Sequence, residues 1–267
     1  MGKYNRDGFG EREKIGDREN RKSEGTYIFG VRAVTEAIKA EREINKIFIQ
    51  KGMNKELFME LKAALAGANH QLQFVPVEKL DGITDANHQG VIAFASPIKY
   101  YKVEELVEKL IEEDKKPFIL ALDRITDVRN FGAIARTAEC EGVDAILLPS
   151  KGSVQVTPDA VKTSAGALNR IKICRTEDMK DSLYYIQQCG VRIVGCTEKS
   201  NTPLFKTNLR GSVAVIMGSE ENGITSDLLN LADVNCTIPM KGEIASLNVG
   251  VAAGMVLYEK VRQELNS

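Results

Sequence analysis

The chain has few of the side chains that most enzymes use for proton transfer or metal binding. It contains two histidines in 267 residues, His70 and His88. Neither has ligand partners at a metal-binding spacing, so the sequence predicts no metal site. No histidine follows residue 116, which excludes a Ser/His/Asp or Cys/His hydrolase in that part. Chemistry there must use Arg, Glu, Ser, Asn and backbone groups, a set that suits the positioning of a reactive cofactor beside a nucleophile.

Paired cysteines and long apolar runs are also missing. The five cysteines form no CxxC pair, and three of them fall in strand-like apolar runs where we expect buried free thiols, namely Cys174, Cys196 and Cys236. An odd number of cysteines fits a reducing compartment, so we expect a cytoplasmic protein. No apolar run approaches the ~20 residues of a membrane span, and the polar first residues do not resemble a secretory signal. The formal net charge of −1 argues against nucleic-acid binding through the charge of the whole protein. It does not exclude binding through local basic surfaces.

The apolar pattern divides the first part of the chain into a tail, a small domain and a linker. Residues 1–25 are polar with charges of both signs, which predicts a disordered tail. Residues 26–96 show the alternation typical of a small α/β domain. We expect its helices over 30–40 and 55–68 and its strands over 44–50, 71–77 and 90–95. Residues 97–116 lie between two prolines and are far more polar, so they are predicted to form a linker.

From residue 117 to residue 267 the alternation restarts and predicts a second, larger α/β domain. We expect its strands at 118–122, 145–148, 171–174, 192–196, 213–217 and 234–238, and its last helix over about 247–264. Apolar, β-branched strands that alternate with helices indicate a parallel sheet covered on both faces. Ligands of such folds bind at the carboxyl ends of the strands.

Two of these strand ends open into polar turns close together in the sequence. One turn follows Met217 and contains Gly218 and Glu220, and the other follows Ile238 and contains Ser246 and Asn248. The first is neither a GxGxxG dinucleotide loop nor a P-loop. We expect one crevice lined by these polar residues, with a plain glycine-rich turn and a solvated Glu220 as the alternative.

Two helix starts complete the candidate site. Asp127 or Asn130 opens the helix after the first strand of the second domain, with Asn130 as the expected N-cap and Arg136 near the same end. An Arg and an Asn there suit a phosphate or carboxylate, although a cap and a surface Arg explain them equally well. Ser246 is the expected N-cap of the last helix. Its small residues Gly250, Ala252, Ala253 and Gly254 predict either a subunit interface or tight internal packing.

Three segments resemble, in order, the motifs of the SpoU (TrmH-like) branch of the SPOUT RNA methyltransferases. They are Asn130–Ala138, Met217–Gly223 and Ile238–Val249. Residues 26–96 are similar to the L30e-like RNA-binding domain of the ribosomal members, and Lys162–Ala167 resembles a segment of members that methylate 23S rRNA. Gly250 departs from the family, which often has Ser there. A glycine inside a helix costs roughly 0.5–1 kcal/mol relative to Ala, so we expect activity to survive.

The resemblance implies a C-terminal SPOUT domain with a parallel sheet and a trefoil knot, S-adenosylmethionine as cofactor, and a homodimer. The implied reaction is 2'-O-ribose methylation of RNA, at a guanosine of 23S rRNA. By resemblance, the catalytic residues are Asn130, Arg136, Glu220, Ser246 and Asn248, and the backbone contacts to the cofactor come from Gly218, Ile238 and Leu247. The alternatives are a tRNA ribose methyltransferase and a non-catalytic RNA-binding assembly factor, and the tail becomes a candidate RNA-contacting arm.

Overall fold

The computed structural model describes residues 27–66, 71–243 and 246–266. The tail over 1–25 and His70 therefore lie outside the described residues. The described chain forms two sheets, one of four strands and one of seven. The predicted α/β class is confirmed, with the larger sheet parallel throughout.

The four-stranded sheet and three helices make up the small N-terminal domain. Its elements are β1 (Tyr27–Phe29), α1 (Val31–Lys39), β2 (Ile44–Gln50), α2 (Lys55–Leu65), β3 (Leu72–Val75), α3 (Val77–Asp81) and β4 (Val91–Ala95). The strand order is β1-β4-β2-β3. Ile47 and Ile49 face α1 and α2, while Phe48 between them faces α3, because successive side chains of a strand point to opposite faces. His88 bonds to Asp81, with 2.9 Å between Nε2 and Oδ1.

The seven-stranded sheet forms the core of the larger domain. Its elements are β5 (Tyr100–Tyr101), α4 (Val103–Glu112), β6 (Phe118–Asp123), α5 (Val128–Cys140), β7 (Ala145–Pro149), α6 (Pro158–Thr163), β8 (Lys172–Thr176), α7 (Met179–Gln188), β9 (Arg192–Cys196), β10 (Val213–Gly218), α8 (Ser226–Leu231), β11 (Val234–Cys236) and α9 (Val249–Leu265). The strand order is β11-β9-β10-β6-β7-β8-β5. Strands β6 and β10 are central and buried, which explains their continuous apolar sequence.

Helices cover both faces of this sheet. Helices α5, α6 and α9 pack on one face, and α4, α7 and α8 pack on the other. The small residues of α9 serve internal packing: a Cβ on Gly250 would lie 3.7 Å from Ala133, and one on Gly254 would lie 3.6 Å from Thr137, both on α5. Within the described ranges, no helix combines the length and the apolar character needed to cross a membrane.

The predicted linker is wrong, because residues 97–116 are packed into the larger domain. Strand β5 pairs with β8, so that Tyr100 lies opposite Ile173. Helix α4 buries Val103, Leu106, Val107 and Leu110 against the sheet. These four positions have the i, i+3, i+4, i+7 spacing of an amphipathic helix, whose exposed face carries the charges that made the stretch look like a linker.

Candidate functional site

The three sequence motifs meet at the carboxylate of Glu220. Its Oε1 accepts hydrogen bonds from Asn130 Nδ2 (3.1 Å), Asn248 Nδ2 (2.9 Å) and the backbone N–H of Val249 (3.2 Å). The amide of Asn248 also donates to Asn130 Oδ1 over 2.9 Å. Side chains from α5, the turn after β10 and the start of α9 are thereby held in one network. We call Asn130, Glu220 and Asn248 the central triad.

Asn248 begins α9, and the prediction that Ser246 is the N-cap is wrong. The Oδ1 of Asn248 accepts from the backbone N–H groups of Gly250 (3.0 Å) and Val251 (3.3 Å). Both Asn and Ser cap helices well, so composition alone did not separate them. Asn248 therefore uses its oxygen for the helix and its amide nitrogen for Glu220. Ser246 instead lines the neighbouring cavity.

Of the two starts predicted for helix α5, the structure has Asp127, about one turn before Asn130. Asp127 is its N-cap, and Oδ1 of Asp127 accepts from the backbone N–H of Asn130 over 2.7 Å. The predicted cap role of Asn130 is wrong, because its side chain is committed to the triad. Arg136 is exposed and lies six residues further along α5, which places it ~9 Å down the helix axis from Asn130. Arg136 therefore does not lie at the same helix end as Asn130.

The glycine-rich turn after β10 is folded back on itself. A Cβ on Gly218 would lie 2.1 Å from the carbonyl carbon of Gly223, so only glycine fits at residue 218. Asp123, at the end of β6, accepts from the backbone N–H of Thr225 over 2.7 Å. Arg124 binds Asp123 (2.9 Å) and also donates to the carbonyl of Gly223 (3.1 Å). Sequence analysis missed these contacts of Asp123 and Arg124, although Asp123 stands at the end of a buried strand, as the predicted site residue Gly218 does.

A cavity of about 410 Å³ lies at the carboxyl ends of β9, β10 and β11. Among the residues that line it are all three predicted cofactor contacts, Gly218, Ile238 and Leu247. Its other lining residues include an apolar group near β10 and α9 and an exposed charged group with three carboxylates and one lysine: Met217, Val249, Ala252, Glu198, Glu220, Glu221 and Lys199. The volume lies within the ~300–1,000 Å³ range of small-molecule sites.

Residues 196–199, after β9, also line this cavity, and sequence analysis missed them. They obey the same strand-end rule, which we applied only to the two later strands. Cys196 is half-buried there and lies opposite Cys236 of β11. Cys174 and Cys236 are buried as predicted, and burial raises the pKa of Cys174 to about 12.

A second cavity of about 390 Å³ lies on the other side of Glu220. Its lining includes Arg124, Asp127 and Asn130. Glu220 of the triad therefore lines both cavities, together with Ser219, Glu221, Asn222 and Val249. Arg136 lines neither of them. Among the residues that the structure describes, no cluster of three or more His, Cys, Asp or Glu side chains could hold a metal ion.

Comparison of the sequence with protein families gives two matches. The profile of the SpoU rRNA Methylase family matches residues 117–258. A second profile, described as RNA 2'-O ribose methyltransferase substrate binding, matches residues 27–101. A Staphylococcus saprophyticus protein named as a TrmH family tRNA/rRNA methyltransferase is 34% identical over 241 residues, covering 90% of this chain and 96% of the relative.

Solved structures share the two-domain arrangement. One, titled RNA 2'-O ribose methyltransferase, is 25% identical with a TM-score of 0.53, and the match covers 93% of both chains. The SpoU methyltransferase AviRb from Streptomyces viridochromogenes, solved with AdoMet, is 20% identical with a TM-score of 0.58. That match covers 95% of this chain and 96% of AviRb, and at this identity it supports the fold alone.

Proposed function

This chain belongs to the SpoU rRNA methylase family of RNA methyltransferases, and we propose that it methylates the 2'-hydroxyl of a ribose in RNA with S-adenosylmethionine as the methyl donor. The observation that carries this proposal is the meeting of the three motifs at Glu220, directly beside the 410 Å³ cavity. We further propose a guanosine of 23S rRNA as the substrate and the cytoplasm as the location.

The residues of the apolar cavity fit the proposed cofactor. Met217, Ile238 and Leu247 offer apolar surface for an adenine ring, and the carboxylates at the rim complement a positively charged sulfonium and ammonium. The bare backbone at Gly218 allows close approach of a ligand. When bound, this cofactor supplies an activated methyl group on sulfur. Gly218, Ile238 and Leu247 would hold it through backbone groups, with Ser246 at the rim.

The central triad positions the reacting groups. Each of its side chains is fixed by at least two hydrogen bonds, so Glu220, which lines both cavities, is held in one arrangement. Alignment of a hydroxyl oxygen with a methyl carbon and its leaving sulfur can lower a barrier by up to ~7–11 kcal/mol. The polar cavity on the far side of Glu220 is the proposed entry for the ribose.

Arg136 is the proposed clamp for an RNA phosphate and for the alkoxide that develops at the 2'-oxygen. A guanidinium keeps its proton and its charge in proteins, so it is a reluctant general base and a good electrostatic partner. Because Arg136 is exposed and lies ~9 Å along α5 from Asn130, we propose that it serves the site of a second subunit.

An apolar stripe on α9 supports the homodimer. Val251, Met255 and Tyr258 lie at i, i+4 and i+7 of this helix and are 51%, 44% and 59% exposed. Such an exposed apolar face on one helix is typical of a subunit contact. The proposed dimer joins the α9 helices of two chains. Because α5 packs beside α9, this contact would bring Arg136 of α5 towards the triad of the partner subunit. The trefoil knot implied by the family remains part of this proposal.

The small domain is proposed to deliver the RNA. Its match to a substrate-binding profile supports this role. The segment that resembles 23S rRNA methyltransferases packs against the first motif, since a Cβ on Gly132 would lie 2.6 Å from Thr163. The family also contains tRNA enzymes, which makes tRNA ribose methylation the second candidate.

Three measurements test the proposal. Isothermal titration with S-adenosylmethionine should show binding, and purified protein should transfer label from the cofactor to 23S rRNA rather than to tRNA. Mapping of 2'-O-methyl sites in rRNA from a deletion strain should show one missing modification. No binding at millimolar cofactor would identify a non-catalytic assembly factor instead, and labelled tRNA with unlabelled rRNA would identify the tRNA enzyme.

A further inference from the structure

The side chain of Asn45 is buried between the two domains. Asn45 lies in β2 of the small domain, only 5% of it is exposed, and both ends of its amide bind the larger domain. Its Nδ2 donates to the carbonyl of Val156 over 2.8 Å, and its Oδ1 accepts from the hydroxyl of Tyr100 over 2.7 Å. A buried amide without partners is costly, so these bonds favour the observed orientation of the two domains.

A β-bulge directs this side chain across the boundary. In the pairing of β2 with β4, Ile44 lies opposite Ala95 and Lys46 lies opposite Phe94, so Asn45 is an extra residue with no partner in the ladder. Bulges of this kind redirect a side chain away from the regular alternation of the strand. The residue of β2 that does not pair with β4 is therefore the one that contacts the larger domain.

Tyr100 is fixed by contacts from both domains. The guanidinium of Arg175 lies over its ring, 3.9 Å from the centroid, and the backbone N–H of Tyr100 donates to Glu43 of the small domain over 3.2 Å. Burial raises the pKa of Tyr100, so its hydroxyl remains a hydrogen-bond donor at neutral pH. Gln155 and Gln71 add one more bond across the boundary. A cleft of about 570 Å³ between the domains lies beside these contacts.

We propose that Asn45 and Tyr100 form a latch that holds the small domain at one angle to the catalytic domain, and that both are positioning residues for methyl transfer. The inference rests on the proposed function, because the small domain is taken to carry the RNA. RNA bound to a domain at a fixed angle presents its target ribose at the triad, whereas RNA on a freely rotating domain is bound but seldom aligned. The latch therefore acts on turnover more than on RNA affinity.

The experiment uses full-length protein with Asn45→Ala and with Tyr100→Phe. The second variant removes one hydroxyl and keeps the ring beneath Arg175, so it carries little risk of misfolding. Both should lower kcat on the RNA substrate by ~10–100-fold while the Kd values for RNA and for S-adenosylmethionine change less than a few-fold. Leu61→Ala is the matched control, because Leu61 is fully buried in the small domain and outside the latch. It should lower the Tm and leave kcat per folded molecule unchanged.

A distance measurement decides the matter without reference to activity. Two fluorophores, introduced through unnatural amino acids at Lys55 of the small domain and Tyr184 of the large one, both exposed, should give a narrow distance distribution in wild type and a broad one in both latch variants. Narrow distributions together with wild-type kcat in both variants would overturn the latch. If wild-type protein methylates no RNA, the proposed function fails, while the distance distributions still test the latch.

Discussion

Asn248 hydrogen-bonds through its amide nitrogen to Glu220 over 2.9 Å, while the oxygen of the same amide caps α9. One side chain therefore links the last helix to the turn after β10. A shift of the helix start would move the triad, and a shift of the turn would strain the cap. The fold and the site share this residue, so its two roles must be separated by substitution.

Asn248→Ala should lose both the cap of α9 and the hydrogen bond to Glu220, whereas Asn248→Asp should lose only the bond to Glu220. Removing the cap costs about 0.5–2 kcal/mol, so the alanine variant should melt at a lower temperature. Asp caps helices as well as Asn does, but its carboxylate cannot donate to Glu220 and repels it. We expect Asn248→Asp to keep the helix cap, to be destabilised only by its repulsion from the exposed Glu220, and to lose methyl transfer, measured by calorimetry and by label transfer to RNA. Retained activity in the aspartate variant would show that the bond to Glu220 is dispensable.

Arg136→Ala should abolish methyl transfer and leave cofactor affinity within a few-fold, because Arg136 does not line the apolar cavity. Glu220→Ala should cause a milder loss. If Arg136 serves the partner's site, mixing the two inactive or weakened proteins should restore activity. One site of the mixed dimer then combines an intact Glu220 with an intact Arg136. Absence of any gain on mixing, with subunit exchange verified by mass spectrometry, would place Arg136 in its own subunit's site.

Gly218→Ala should weaken cofactor binding. The added Cβ would lie 2.1 Å from the carbonyl carbon of Gly223, so the turn must move away from the cavity that it lines. Overpacking of this kind typically costs about 1–3 kcal/mol of folding stability, and the displaced turn should raise the Kd for the cofactor, which isothermal titration measures. Gly242→Ala is the control, because a Cβ there would have no neighbour within 4 Å. An unchanged Kd for Gly218→Ala would separate this turn from cofactor binding.

The sequence predicted the elements of the fold better than their ends. Strand β9 matches its predicted bounds of 192–196, because a parallel buried strand is a continuous apolar run between turns. Helix starts were harder to predict. Ser246 and Asn248 are equivalent caps by residue type, and only the path of the chain into α9 selects Asn248.

Three-dimensional contacts account for the rest of the differences. Strand-end logic gave the triad residues Glu220 and Asn248, since each follows an apolar run. It could not reveal that Asn45 is a bulged residue, because a bulge depends on the register of the partner strand. The polar composition of 97–116 concealed the buried face of α4 for a different reason, namely that composition averages over both faces of a helix.

Removal of α4 should destabilise the catalytic domain. A fragment of residues 97–267 should fold and bind cofactor, whereas one of residues 117–267 lacks Val103, Leu106, Val107 and Leu110. Burying four such side chains is worth roughly 6–12 kcal/mol as an upper estimate, comparable to the ~5–15 kcal/mol stability of a typical domain. Calorimetry and titration of both fragments check this. The longer fragment should also methylate rRNA poorly, since it lacks the small domain.

Met255→Glu should dissociate the proposed homodimer. Met255 lies at the centre of the exposed apolar stripe on α9, and a carboxylate there must be desolvated against its counterpart in the partner. Sedimentation at micromolar concentration should show a monomer that still binds cofactor but transfers no methyl groups, because Arg136 of the partner is lost.

Two further variants test whether the loss of the dimer is specific to the α9 stripe. Tyr184→Glu replaces an exposed aromatic on α7, across the sheet from α9, and should leave the dimer and its activity intact. In the second variant, Gly254→Leu, the added Cβ would lie 3.6 Å from Cγ2 of Thr137 on α5 of the same chain. The rest of the leucine side chain should disturb the packing of α5 against α9 and lower the Tm. A Met255→Glu protein that is monomeric and fully active would overturn both the subunit contact and the role of Arg136 across it.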